Sequence, residues 1–484
     1  VLLIVVDELR ADHVGVYGCD RATTPYLDGL VSEGVWFSNA FGTAPDTIPS
    51  HASILMGADP SLARRPPLPS GEPLSLMTDW FLPEEVPRIA REFLVEGYRT
   101  AAFMDHAWLS PVFGFAAGFE VFRGFREGGS VTMGFHEDGS PITRDFGMVA
   151  VRGRLERWLE ALPNDQDWFA YVTAGDLERT WSFPDLSYDT FFEAREELSQ
   201  VPPPSSADRA FFAVGRSRWP GAPLSLGEYE ARYDGALLRL DFELHKLFAR
   251  LEAMGRWENT TVCIVGSYGV GFGEAGLIID HGTLADVDLH VPVILRPARN
   301  VELARGRAID GLTSLIDVAP TLLELAGIQS PPGMHGVSQV PVLKGEVKAV
   351  REYAYANGGI HAGFSVRDER YTLEYYQPAS RGPASLARSW FGEGNPDRSA
   401  IIEHLRDRET QPDPGNLGRS HPDAAVAEEL KAAGLEWYRW MERARLHVQD
   451  APWLELPLDP EERKELERMG LIAPVGAIEA ASKG

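Results

Sequence analysis

Four places along the chain put a polar side chain directly after a short run of aliphatic or aromatic residues. Residues 1–6 lead into Asp7, 99–104 into Asp105, 168–172 into Thr173, and 261–265 into the turn Gly266-Ser267-Tyr268-Gly269. Unbroken apolar runs of this kind read as strands covered on both faces of a parallel sheet. In an open α/β sheet, ligands bind in the crevice outside the carboxyl ends of the strands. A carboxylate at such an end, Asp7 above all, is therefore read as a ligand in preference to a turn former. A second feature is Thr47-Ile48-Pro49-Ser50-His51. Pro49 fits the first turn of a helix, which leaves backbone N–H groups near Thr47 to face an anion. Thr47 acting only as the helix cap is the simpler role, and the two are compatible.

These residues must be held by a large sheet. A fifth apolar run, 291–295, joins the four above, and helical patterns lie between them, so the first two thirds of the chain read as βαβ units. The clearest helix begins at Ser225, which forms a capping-box pattern with Glu228. Its apolar positions Tyr233, Leu237, Leu240, Leu244, Leu247 and Leu251 recur in steps of four and three, and Gly255 supplies the stop. Segments 64–73 and 201–206 are Pro-rich loops, and the aromatic-rich stretch 191–219 around the second reads either as an insertion covering a crevice or as a linker. Beyond Gly345, runs at 352–355, 364–366 and 371–375 predict a small antiparallel sheet. A charged amphipathic helix over 424–445 and a Pro- and Glu-containing tail, 451–484, follow.

Composition excludes several classes. The 484 residues carry 46 Lys and Arg against 71 Asp and Glu, a formal charge of −25 spread along the chain. That argues against a partner built of phosphate backbone or anionic lipid, so no nucleic acid is expected. The two cysteines, Cys19 and Cys263, cannot build a disulfide framework or a zinc cluster. No apolar segment approaches the roughly 20 residues of a transmembrane helix. The first residue is not Met and already belongs to a strand, so the natural N-terminus is expected to have been trimmed, with any signal peptide lost from view.

The motifs fall in an order that resembles the sulfatase family of the alkaline phosphatase superfamily. Asp7-Glu8-Leu9-Arg10-Ala11-Asp12-His13, Tyr17-Gly18 and Thr23-Thr24-Pro25-Tyr26-Leu27-Asp28 are similar to the family's opening, and Thr47 to Ser53 to its nucleophile motif. The stretch from Asp317 to Gly327, followed by Gly336-Val337-Ser338, resembles its closing helix and turn, and Arg408 to Leu417 its late loop. The resemblance implies an α/β, alkaline phosphatase-like three-layer sandwich around a large, mainly parallel sheet, plus a smaller C-terminal antiparallel subdomain. The expected boundaries are 1–345 for the main domain, with 176–225 as an insertion or cap, 346–450 for the subdomain and 451–484 for the tail. Many relatives are exported, whereas the low cysteine count fits cytoplasm. The compartment stays open, as does the oligomeric state.

In this family a divalent cation sits at the strand ends, held by acids of the first strand, by the nucleophile and by a later Asp-His or Asp-Asn pair. An alcohol is a poor nucleophile at neutral pH, and such a cation ionises it. Asp7 matches the first acid. Glu8 stands where sulfatases carry a second Asp and the Thr-nucleophile branch carries Thr, and it reads as a cation ligand or as a surface carboxylate. Thr47 falls where sulfatases carry the cysteine that becomes formylglycine, and His51 replaces the family's Arg. Neither cysteine lies in that motif, so formylglycine is excluded, whereas Thr47 fits the branch that uses an unmodified Thr. The family's Ser-Asp-His-Gly turn aligns with 266–269, so Ser267 and Tyr268 replace Asp and His and offer a cation neither charge nor a nitrogen donor. After 168–172, where relatives carry histidines, this chain has Thr173 and then only Asp176. His281, in Asp280-His281-Gly282-Thr283, keeps the family's His-Gly turn and reads as a crevice residue or a hydrogen-bonded loop residue.

Two functions follow. The favoured expectation is a non-catalytic or strongly divergent relative, with ligand positions lost at Ser267, Tyr268 and Thr173, that binds a ligand or a protein partner and needs no cofactor. The alternative is an active hydrolase or transferase of small phosphate, phosphonate or sulfate esters, with Thr47 as nucleophile, His51 and His281 assisting, and one zinc, manganese or calcium ion on Asp7, Glu8 and either His281 or Asp280. Metal-independent anion binding at the Thr47 helix by His51 and His281 is a third reading.

Overall fold

The computed structural model describes residues 1–63, 80–106, 108–124, 131–135, 141–144, 147–178, 191–196, 225–272, 274, 278–357, 363–376, 402–408 and 424–448. The first strand, β1 (Leu2–Val6), shows how the fold is built. Successive side chains of a strand point to opposite faces. Leu3 and Val5 enter one apolar core and Leu2, Ile4 and Val6 another, all fully buried. With both faces of β1 apolar, helices must cover the sheet on both sides, which gives three layers.

The main sheet has eight strands. In chain order these are β1, β2 (Val35–Phe37), β3 (Arg99–Phe103), β4 (Val121–Arg123), β5 (Trp168–Ala174), β6 (Val262–Gly266), β7 (Val293–Arg296) and β8 (Arg307–Ile309). Their spatial order is β8-β2-β7-β6-β1-β5-β3-β4. Neighbours pair in parallel except around β7, which runs antiparallel to both β6 and β2. The run at 291–295 thus departs from the expected βαβ pattern. Among the described residues, the connection from β6 to β7 holds, as α-helix, only the four residues Asp286–Leu289. A parallel return usually runs through a crossover helix; this connection carries instead the short strand pair Gly271–Phe272 and Ile278–Asp280, and the chain comes back antiparallel.

On one face lie α1 (Pro25–Leu30), α3 (Gly147–Ala161) and α4 (Leu226–Ala253), and on the other α2 (Thr47–Met56) and α5 (Val318–Leu325). Helix α4 starts at Ser225 as the sequence predicts. Ser225 Oγ accepts from Glu228 N and Glu228 Oε2 accepts from Ser225 N at 2.6 Å, so both halves of the capping box form. Its apolar stripe is buried in the second core, and Gly255 follows the helix at φ +70.

A separate antiparallel sheet follows, built of β9 (Ala354–Asn357), β10 (Gly363–Arg367), β11 (Tyr371–Tyr376) and β12 (Ile402–Asp407) in that order. Helix α6 (Ala424–Val448) packs on it through Leu430, against Phe364, Val366 and Leu373. The sequence pattern predicts three of these strands and misses β12, in which four charged or imidazole side chains interrupt the apolar signal. The Pro-rich loops 64–73 and 201–206, nearly all of the late loop and the tail 451–484 lie outside the described residues, as does most of 176–225. No described helix is long and apolar enough to cross a membrane.

One packing constraint fixes the turn after β6. A Cβ on Gly269 would stand 2.1 Å from Val287 O, a backbone atom that cannot swing away, and Gly269 N–H donates to Asp288 O at 2.7 Å. We predict that Gly269→Ala displaces this turn and costs about 1–3 kcal/mol, as overpacking of a tight site does. A urea midpoint equal to that of the wild-type protein would contradict this.

Candidate active site

Strands β6, β1, β5 and β3 are consecutive and parallel, so their carboxyl ends emerge side by side. The ladder runs one residue beyond the strands: Asp7 N–H donates to Ala174 O and Ser267 N–H to Val6 O, both at 3.0 Å. Asp7 and Ser267 are thereby fixed as neighbours. Helix α2 points its N-terminus at the same place, and Ser50 Oγ ties it to the β6 turn by donating to Ser267 O at 2.7 Å.

Asp7 is fully buried. Its Oδ1 accepts from Ser267 Oγ at 2.5 Å and from His51 Nε2 at 2.7 Å. On the far side of the ring, His51 Nδ1 lies 2.6 Å from the Tyr171 hydroxyl. Burial, followed by the charge of Asp7, pushes the Tyr171 phenol well above its ordinary value, so it stays protonated and donates to Nδ1. That network assigns the His51 proton to Nε2, facing Asp7. Burial raises the Asp7 carboxyl, but His51, His106 and the Ser267 bond outweigh it and hold the group below its usual range. Among the described residues, Asp7 Oδ2 is buried with no hydrogen-bond partner.

Thr47 is the first residue of α2, and its Oγ1 lies 2.8 Å from the Tyr268 hydroxyl. The helix cap is Asp46, whose side chain accepts from Thr47 N at 2.7 Å; Thr47 itself is not the cap. Tyr268 is fully buried, and burial together with Asp7, Glu178 and Glu8 raises its phenol well above the ordinary value. The His281 ring packs against Tyr268 with centroids 4.6 Å apart, and His281 Nδ1 donates to Pro45 O at 2.7 Å. Buried Asp288 holds the His281 turn by accepting from Gly282 N and from Thr283 N and Oγ1.

Glu8 is buried and is the one non-glycine residue with positive φ, +59, among the described residues. An L-residue in this region carries about 1 kcal/mol or more of strain and persists only where its surroundings enforce it. Here Tyr233 of α4 donates its hydroxyl to Glu8 O at 2.6 Å and accepts from Arg10 N at 3.1 Å, clamping the backbone on both sides.

The ends of β3 and β5 add two further groups. His106 Nε2 lies 2.9 Å from Glu178 Oε2, and one donor atom each of Asp7, His106 and Glu178 fall within 4.8 Å of one another. Thr173 Oγ1 donates to Asp105 Oδ1 at 2.9 Å, and Gly175 N donates to Asp105 Oδ2 at 2.6 Å. Asp176 accepts from Met148 N at the start of α3 and pairs with Arg239, so it anchors helices.

Residues 1–328 match the sulfatase family model. The chain belongs to the sulfatase family. A delta 4,5-hexuronate-2-O-sulfatase of Bacteroides thetaiotaomicron is 25% identical over 394 residues, spanning 78% of this chain and 79% of the relative. A phosphonate monoester hydrolase of Agrobacterium radiobacter superposes with a TM-score of 0.68 at 19% identity, covering 91% of this chain and 95% of the other. A protein solved in complex with its substrate D-glucosamine-2-N,6-O-disulfate superposes with a TM-score of 0.64 at 16% identity, covering 92% and 98%. The last two show the fold, which is the alkaline phosphatase-like sandwich with its smaller antiparallel sheet.

Within this sulfatase-family crevice, the residues singled out from sequence fall into two groups. Asp7, His51 and Ser267 bond directly to one another, and Thr47, Tyr268 and His281 form a second cluster beside them. Glu8 acts on Tyr268 through its charge, Thr173 engages Asp105, and the side chain of Asp280 lies outside the described residues. His106 and Glu178 escape the sequence reading. His106 follows Asp105 at a strand end and could have been noticed on that ground, but nothing in the sequence shows that the turn after β5 folds Glu178 back.

His51 is the main support of the Asp7 charge, and the depressed Asp7 carboxyl contributes stability above the ordinary carboxylate range that is lost as pH falls through its folded value. In His51→Phe, burial dominates and the folded carboxyl takes up a proton, which reverses the sign. Protonating an ordinary Asp costs about 1.4 kcal/mol per pH unit above its usual value near 4, so this part of the loss is at most about 4 kcal/mol at pH 7 and about 1.5 at pH 5, added to the pH-independent contribution of the depressed carboxyl. Urea unfolding at the two pH values should show the smaller loss at pH 5, and an equal loss at both would refute this account.

Proposed function

We propose that this chain is a non-hydrolytic member of the sulfatase family whose strand-end crevice binds a ligand without cleaving an ester. One observation carries the reading: Asp7 Oδ1 is bonded directly to Ser267 and His51, and the Thr47 hydroxyl directly to the Tyr268 phenol. An alcohol becomes a competent nucleophile through an adjacent base or a cation. A phenol held in its protonated form is no base, and Ser267 and Tyr268 bring a cation neither charge nor a strong donor. Ser267 and Tyr268, the residues that close Asp7 and Thr47, therefore do not fit the family's metal.

The ligand class most in keeping with the family is a small anionic ester, such as the disulfated glucosamine bound by one structural relative. Backbone N–H groups at the start of α2 and the imidazoles of His106 and His281 suit such a ligand. The alternative, a Thr47-dependent hydrolase, draws on the position of Thr47 at the N-terminus of α2.

The expected outcome is no turnover of 4-nitrophenyl sulfate, bis-4-nitrophenyl phosphate or a phenylphosphonate ester with zinc, manganese or calcium present, with wild type and Thr47→Ala indistinguishable. Turnover that falls by about 100-fold or more in Thr47→Ala would replace this reading with the hydrolase.

A further inference from the structure

Asp7 is used on one side only. Its Oδ1 is taken by Ser267 and His51, while Oδ2 is fully buried and unbonded among the described residues. A buried carboxylate oxygen without a partner is costly, and in native structures it calls for a specific explanation such as an ion. The neighbouring donors are His106 and Glu178: a carboxylate oxygen of Asp7, a ring nitrogen of His106 and a carboxylate oxygen of Glu178 lie within 4.8 Å of one another.

The surrounding charge points the same way. Tyr268 lies in the field of Asp7, Glu178 and Glu8, and Asp46 in the field of Asp7, His106 and His281. Four carboxylates thus share a crevice in which Arg10, the guanidinium of the first loop, is engaged by Asp12 and Glu274. Such a place favours a bound cation.

We propose that Asp7 Oδ2, His106 and Glu178 form a binding site for a first-row divalent metal ion, displaced from Thr47 to the opposite side of the Asp7 carboxylate. One imidazole nitrogen and two carboxylate oxygens suit zinc or cobalt, and three protein donors leave a position for an exogenous ligand. Ligand atoms around such an ion stand about 3.4 Å apart, so His106 Nε2 and Glu178 Oε2, now 2.9 Å apart, separate slightly to admit it. Glu178 can supply that movement, since its side chain is 30% exposed on a turn. His106 Nε2 ligates, and its ring proton then resides on Nδ1, giving up the long 3.3 Å contact from Trp108 N. The proposal goes beyond the non-hydrolytic reading and stands without it, because the ion can bind whether or not an ester is bound or cleaved.

The test uses the full chain, stripped with a chelator and titrated calorimetrically with zinc, with cobalt absorption as a second readout. One equivalent is expected, weakened by about 30-fold or more in both His106→Gln and Glu178→Gln and changed by less than about threefold in Tyr268→Phe. Unfolding midpoints taken without metal show that the two ligand variants remain folded. Absence of stoichiometric zinc or cobalt binding overturns the proposal, as does binding that survives either ligand variant. Binding lost in Tyr268→Phe would place the ion beside Thr47 and overturn it equally.

Discussion

A carboxylate buried at the end of a strand that is apolar on both faces is the constraint around which this molecule is arranged. Water cannot reach Asp7, so its charge must be supported by protein groups, and burying it unsupported would cost several kcal/mol. The supports come from three separate elements: Ser267 from the turn after β6, His51 from the second turn of α2, and Tyr171 from β5 acting through His51. The parallel register of β6, β1 and β5 brings the first and third to the site, and the Ser50 bond to Ser267 O holds α2 in place for the second.

The same arrangement explains the character of the second cluster. With Asp7 Oδ1 occupied by Ser267 and His51, Thr47 shares its hydroxyl hydrogen bond with a phenol that burial keeps protonated. The strained backbone of Glu8, clamped by Tyr233, belongs to this economy of buried charge as well, since it fixes where the acid after Asp7 lies relative to Tyr268. Strain maintained by two hydrogen bonds from a different helix is a property of the crevice, because an isolated turn would relax it.

Much of the scaffold is legible in the chain itself. The apolar runs at β1, β3, β5 and β6, the capping box at Ser225 and the stop at Gly255 are local signals, and each appears where local physics places it. The direction of β7 is not local, because it depends on how little helix the preceding connection contains. Strand β12 is hidden for another reason: its charged side chains lie in a small sheet where Lys431 and Arg406 pair with Glu403 and Glu374, so hydrophobic alternation is weak. The cap of α2 also shifts by one residue, because Asp46 offers a better acceptor to Thr47 N than the Thr47 hydroxyl, which is turned to Tyr268.

The sequence by itself determined the sulfatase-type order of motifs and the presence of Asp7, Thr47, Ser267 and Tyr268 at strand ends and a helix start, because each rests on residue identity and short-range spacing. Only the tertiary structure decided which of these touch. It paired Asp7 with His51 and Ser267, paired Thr47 with Tyr268, and brought His106 and Glu178 within 4.8 Å of an Asp7 carboxylate oxygen. Those contacts join residues 44 to 260 positions apart, and such distances are set by strand register and helix packing, quantities that no local pattern encodes.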